Sequence, residues 1–191
     1  MGRGYVTQTQ FYFFTNKKVQ TPYDLAGQKT APGGIHVAFM QALGVTPVTM
    51  ALSEMYGAME RGVINGFNYP FAAGFSTTWH LQEVTKYVID HPYYVGDTVL
   101  TMNLNKWNSL PKNLQDLMKE VTSQVETETP GIFAELNTKE RDMAVKAGLQ
   151  AIKFSSADAE WYNRIAYEAA WKDVIDKLPD VGRRLKDLLT K

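Results

Sequence analysis

Apolar and polar positions fall into two regimes along this chain. Up to about residue 104, short extended runs alternate with short helical ones; beyond it, apolar residues recur every three or four positions. In the first regime, residues 1–10 read as a loose polar lead-in. Phe11-Tyr12-Phe13-Phe14 then predicts an aromatic strand ending in the polar turn Thr15-Asn16-Lys17-Lys18. A weak strand is expected over 29–31, stopped by Pro32-Gly33-Gly34. Val37, Met40 and Leu43 share one face of a helix that Gly44 terminates. Residues 46–50 read as extended, and Ser53 is placed to cap a helix over 54–61 closed by Gly62. Further on, a helix is expected over 76–82, with strands over 86–89 and 98–104. This βαβα rhythm predicts an α/β fold with a parallel or mixed sheet.

The second regime is helical. Leu114, Leu117, Met118, Val121, Val125, Ile132, Leu136 and Met143 keep helical spacing, and the stripe reads as core. A helix over 111–147 would run ~55 Å at 1.5 Å per residue, more than the width of a small domain, so it should cross between parts of the molecule. Pro130 inside it should kink it, and Gly148 ends it. A strand over 149–154 follows. Ser155-Ser156-Ala157-Asp158 has the form of a capping box opening a helix to about residue 177, and 180–189 makes a short amphipathic helix.

Charge and composition narrow the function. Lys+Arg and Asp+Glu number 20 each in 191 residues, so the chain lacks the basic excess of a general nucleic-acid binder. Without cysteine there is neither a disulfide framework nor a thiolate nucleophile or metal site. No apolar run approaches the ~20 residues that cross a bilayer. Met1-Gly2-Arg3-Gly4 has no apolar segment behind it, so no signal peptide is visible. The three histidines, His36, His80 and His91, form no metal-ligand pair, and no hydrolase, phosphate-loop or dinucleotide motif occurs. Neither catalysis nor a cofactor is expected. An enzyme would need a titratable pair in one pocket, and Asp97 with His91 or His80 is the combination to check.

Five ordered segments carry a resemblance. They are Asp24-Leu25-Ala26-Gly27-Gln28-Lys29; Ala42-Leu43-Gly44-Val45-Thr46-Pro47-Val48; Ser53-Glu54-Met55-Tyr56-Gly57-Ala58-Met59-Glu60-Arg61-Gly62-Val63-Ile64-Asn65-Gly66; Glu83-Val84-Thr85-Lys86-Tyr87; and Asn105-Lys106-Trp107-Asn108-Ser109-Leu110-Pro111. In this order and spacing they resemble the extracytoplasmic solute-binding proteins of TRAP transporters, the family named after the C4-dicarboxylate receptor. The resemblance covers about residues 11–150. It implies a type II periplasmic-binding-protein fold: one nearly complete lobe, part of a second, and a long helix spanning the hinge. It divides the chain into a lead-in and inter-lobe strand (1–23), an α/β ligand-binding lobe (24–104) and a joining section (105–191). It also implies a periplasmic location, a small organic acid as ligand and a membrane permease as partner. The family's earlier βαβ section has no counterpart here. The chain therefore reads as a C-terminal part, for which weak or no ligand affinity and a possible homodimer are expected.

The resemblance also nominates site residues. Asn65-Gly66-Phe67-Asn68-Tyr69-Pro70 falls on the segment that lines the family's cleft, which points to Tyr69, Phe67 and Asn68. Thr30 and Lys29 lie on the strand where the family carries a carboxylate-pairing Arg. No Arg stands there, and a lysine offers only a point charge in place of a bidentate fork. Tyr56 on the capped helix, Trp79 and Tyr94 complete the set, and His36 reads as a solvated residue at a helix start. The rival reading is a truncated structural or oligomerising α/β module without a working solute site.

Overall fold

The computed structural model describes residues 5–190. Its strands are β1 (Tyr5–Thr15), β2 (Lys29–Ala31), β3 (Thr46–Pro47), β4 (Gly66–Pro70), β5 (Tyr87–Thr98) and β6 (Gln150–Ile152). They form one mixed sheet in the order β3-β2-β4-β1-β5-β6. β2 is parallel to β3 and β4, β5 is parallel to β6, and β1 lies antiparallel between β4 and β5. The helices are α1 (Val37–Ala42), α2 (Leu52–Glu60), α3 (Leu104–Asn108), α4 (Lys112–Lys146), α5 (Ser156–Lys177) and α6 (Pro179–Leu189). The mixed α/β architecture expected from the sequence is present.

Over residues 11–14, β1 is apolar on both faces because both faces are covered there. Successive side chains point to opposite sides of a strand. Tyr12 and Phe14 therefore pack with Phe67, Phe71, Phe75 and Met59, while Phe13 packs with Leu25, Phe39, Ile89 and Tyr162. β4 must come very close to β1: a Cβ on Gly66 would sit 2.3 Å from the Phe14 carbonyl oxygen, so only glycine fits there.

β5 carries a large bulge. Its partner on β1 moves from Tyr94 at Phe11 to Ile89 at Phe13, so five residues of β5 face two of β1, leaving three extra. Pro92 lies in this stretch. It lacks the N–H a regular ladder requires, and bulges are where sheets accommodate proline.

Several local expectations are corrected. Residues 5–10 are not a loose lead-in but the first half of β1, because Tyr5 and Thr9 find partners on the long β5; residues 1–4 lie outside the described residues. The strands expected over 86–89 and 98–104 are one strand up to Thr98, and Asn103 instead caps α3 by accepting from the Lys106 N–H at 3.1 Å. Ser53 does not cap α2. The helix begins earlier, and the Glu54 carboxylate accepts from the Ala51 N–H at 2.8 Å. Residues 76–82 form turns, since Gly74 and His80 adopt left-handed backbone with φ of 76° and 52°.

The long helix forms as expected, 35 residues with Pro130 inside it. Its apolar stripe is not core along its length, however: Leu114, Leu117, Val121, Ile132 and Met143 remain exposed. α4 packs on β1 and on the turn at Phe71–Ala73, where it buries Thr129, Glu140 and Ala144. A helix of this length outruns the sheet beneath it.

Glu140 is the tie. Only 2% exposed, it accepts hydrogen bonds from the Ser76 N–H (2.6 Å), the Thr77 N–H (3.1 Å) and the Thr77 hydroxyl, while the Ser76 hydroxyl donates to its backbone carbonyl. A buried carboxylate is tolerated because its lone pairs are satisfied. Arg141, next in sequence, ion-pairs with Asp90 at 2.7 Å and lies over the rings of Tyr12 and Phe71. Glu140→Ala leaves the buried Ser76 N–H unpaired and removes both Thr77 contacts. It should lower unfolding stability by about 3 kcal/mol in urea titrations, and Glu140→Gln should lower it by about half as much. Unchanged midpoints in both variants would contradict this role.

Candidate functional site

The parallel direction of β2, β3 and β4 brings their carboxyl ends to one edge of the sheet, the side on which open α/β sheets place their ligands. A cleft of about 340 Å³ lies there. β2 leads into it through Ala31, Pro32 and Gly33, the chain after β3 through Met50, and β4 through Asn68 and Tyr69. Phe11 enters from the antiparallel β1, Ile35 and His36 from the turn before α1, and Leu52 and Met55 from α2.

The structure gathers some of the nominated residues and disperses others. Asn68 and Tyr69 line the cleft. Tyr94 borders it, with its ring 5.5 Å from Phe11 and 5.0 Å from His36, centroid to centroid. Phe67, one step along the pleat from Asn68, points the other way into the core and stacks on Phe14 at 5.2 Å. Thr30 is fully buried outside the lining, and its hydroxyl has no hydrogen-bond partner among the described residues. Lys29 is exposed at the amino end of β2, away from the cleft, where its backbone N–H meets the Asn65 side chain at 3.3 Å. Tyr56 donates to Glu83 at 2.9 Å, tying α2 to the turn at Leu81–Glu83. Trp79 packs against the core beneath Tyr69.

Asn68 shapes the cleft. Its amide donates to the Tyr93 hydroxyl and accepts from the Gly33 N–H at 3.3 Å, so it fastens β4 to both the turn after β2 and the bulged part of β5. Tyr69 offers the cleft its ring, while its hydroxyl donates to the Ala73 carbonyl at 2.9 Å. Burial pushes the phenols of Tyr69 and Tyr93 up, so both stay protonated and neutral.

His36 was expected to be solvated and is 4% exposed. The imidazole sits among aromatic rings: Phe11 at 4.7 Å, Tyr94 at 5.0 Å and Tyr93 at 5.5 Å. The bulge in β5 carries Tyr93 and delivers Tyr94 at its edge. Burial lowers the His36 pKa from 6.5 to about 4, so the ring is neutral at physiological pH. The only sequence signal for its place was Pro32-Gly33-Gly34, a turn that folds the next helix start back over the strand end.

The other titratable candidates are occupied elsewhere. His80 pairs with Glu83 at 3.4 Å on the surface. His91 accepts from the Phe154 N–H at 2.9 Å and stacks on that ring. The Asp97 side chain lies outside the described groups. Among the described residues, no cluster of His, Asp and Glu is arranged to hold a metal.

The depressed pKa of His36 has a signed consequence. Between pH 6.5 and about 4, the unfolded chain binds a proton at this residue that the folded chain resists. Its contribution to stability is therefore present above pH 6.5 and is lost as pH falls towards about 4. The slope is at most about 1.4 kcal/mol per pH unit. His36→Phe should flatten the pH dependence of urea unfolding across this window, whereas parallel curves for variant and wild type would contradict it.

With this geometry in view, the known proteins most informative for the chain are consistent. The family model for DctP, described as bacterial extracellular solute-binding protein, family 7, matches residues 4–177. The C4-dicarboxylate-binding periplasmic protein DctP of Rhodobacter capsulatus is 30% identical over 169 residues, 86% of this chain and 47% of that protein. Two solved TRAP periplasmic solute-binding proteins share the fold. One, from Desulfovibrio salexigens with bound orotic acid, gives a TM-score of 0.83 at 21% identity, covering 95% of this chain and 58% of that one. The other, from Shewanella oneidensis with bound succinate, gives 0.79 at 21% identity, covering 96% and 60%. The chain thus spans about half the length of the curated relatives it matches. No helix among the described residues is long and apolar enough to cross a membrane. Together the family match, the shared fold and the cleft at the strand ends show that this chain belongs to family 7 of the bacterial extracellular solute-binding proteins, the DctP family of TRAP transporters.

Proposed function

We propose that this chain forms part of a periplasmic receptor that captures a small organic solute and presents it to the membrane permease of a TRAP transporter. The observation that carries the reading is the cleft at the carboxyl ends of β2, β3 and β4, lined by His36, Asn68 and Tyr69, in a chain of this family. Relatives named for C4-dicarboxylates, or solved with orotic acid or succinate, make organic acids the first class to screen. Residues 24–104 are read as the lobe that bears the cleft, with 1–23 and 105–191 connecting it to a second lobe. In such a receptor the solute stabilises a closed arrangement by touching both lobes, and closure is the signal a permease reads.

Tyr69, Asn68 and Tyr94 are the residues assigned to the solute on this side. Lys29, Thr30, Phe67, Tyr56 and Trp79 take supporting places, because their side chains are buried in the core or turned from the cleft. The comparisons give no support for a homodimer, and it forms no part of the reading.

The rival reading, a structural or oligomerising module, draws on the exposed apolar positions of α4. A thermal-shift screen of the chain against sugar acids, dicarboxylates, keto acids, amino acids and neutral analogues separates the two. Binding to the folded state alone stabilises it by RT ln(1 + [L]/Kd), so one class should raise the melting temperature in a concentration-dependent way. Tyr69→Ala should weaken that response while leaving the fold intact. No response to any class, together with concentration-dependent association in size-exclusion chromatography, would move the reading to the structural module.

A further inference from the structure

We infer that the cleft takes an uncharged, planar solute carrying an amide or a similar neutral hydrogen-bonding group, and that His36 is the residue that hydrogen-bonds it. This deepens, and rests on, the solute-binding reading above.

The first argument is electrostatic. None of the residues lining the cleft is Lys, Arg, Asp or Glu, and apart from His36 and Asn68 its walls are apolar or aromatic. Lys29, the cation nearest in sequence on these strands, is exposed at the far end of β2. Stripping a carboxylate of water against such a surface, with no countercharge on this side of the cleft, is strongly unfavourable. An amide carries no charge and loses far less on entry.

The second argument is independent of the first. His36, only 4% exposed, lines the cleft and makes ring contacts but no hydrogen bond among the described residues. Its nitrogens are not among the described polar atoms sealed from solvent without a partner, so a solute that displaces water from them must supply a hydrogen bond in its place. A neutral imidazole has one nitrogen that donates and one that accepts, and tautomerism lets the nitrogen facing the cleft do either. An amide or lactam matches both possibilities.

Shape completes the case. Phe11 and Tyr94 stand around the imidazole as tilted and edge-on rings, and Met50, Leu52 and Met55 form an apolar wall. Rings over rings and thioethers beside rings favour a flat, aromatic body. A cleft of about 340 Å³ accommodates one such small ring system.

Benzamide and benzoate have the same shape and differ in charge, which makes them suitable probes. Thermal-shift titration of the chain should show a saturable response to benzamide and an apparent Kd for benzoate at least about tenfold weaker. His36→Phe keeps an aromatic ring in the aromatic box and should abolish the benzamide response without lowering the melting temperature; His36→Gln should retain part of it. Ile35 is 68% exposed at the rim of the cleft, so Ile35→Arg is tolerable and should bring in a benzoate response that wild type lacks. This variant keeps the test informative if His36→Phe fails to fold. Equal or stronger stabilisation of wild type by benzoate, or by the organic acids alone, would overturn the inference and leave the receptor reading standing. An unchanged benzamide response in His36→Phe would remove His36 from the site. Silence towards these probes and the whole solute screen would overturn the receptor reading, and the inference with it.

Discussion

Everything in this structure hangs on β1 lying between β4 and β5. It is the one strand joined to both the parallel group β2, β3, β4 and the pair β5, β6, and both of its faces are closed by aromatic packing. Its register with β4 demands glycine at position 66, where the backbones leave no room for a side chain. Its register with β5 fails over three residues, and that failure brings Tyr93 and Tyr94 to the edge where the parallel strands end. One strand thus fixes the core and composes the cleft. The clamp from Glu140 to Ser76 and Thr77 then holds α4 to the turn that follows β4, so the long helix and the cleft-bearing segment are mechanically connected.

How much of this could be read from the sequence depended on whether a feature was local. The aromatic run 11–14, the stop at Pro32-Gly33-Gly34, the Ser155 cap and the long periodic helix are written in neighbouring residues, and each is found in the structure. Features that depend on distant partners were read less well. Tyr5 to Gln10 looked like a polar lead-in because nothing adjacent shows that β5 is long enough to pair with it. Residues 76–82 have a helical composition, but the amides of Ser76 and Thr77 are drawn out to Glu140, some sixty residues on. The stripe on α4 obeys the periodicity of a core helix while much of it faces outward, because periodicity records which residues share a face and not what covers it.

The candidate site shows the same division. Of the family-like segment 65–70, Asn68 and Tyr69 line the candidate cleft, yet pleating sends alternate residues to opposite sides, so Phe67 does not. His36 was missed for the opposite reason. At the start of a short helix a histidine ordinarily reads as solvated, and only the fold-back at Pro32 and the bulge in β5 surround it with rings. The absence of Arg from the β2 strand was legible at once. Its consequence is visible in the lining, where no Lys or Arg stands in its place.

The most direct test of solute capture at this cleft is methyl NMR of the chain with 13C-labelled methionines. Of its 8 methionines, Met50 and Met55 line the cleft, while Met118 and Met143 lie on α4. Titration with a solute that raises the melting temperature should move the Met50 and Met55 methyl resonances together along one binding curve and leave Met118 and Met143 in place. Shifts confined to the α4 methyls, or none at all while the protein is stabilised, would contradict a solute site at the carboxyl ends of β2, β3 and β4.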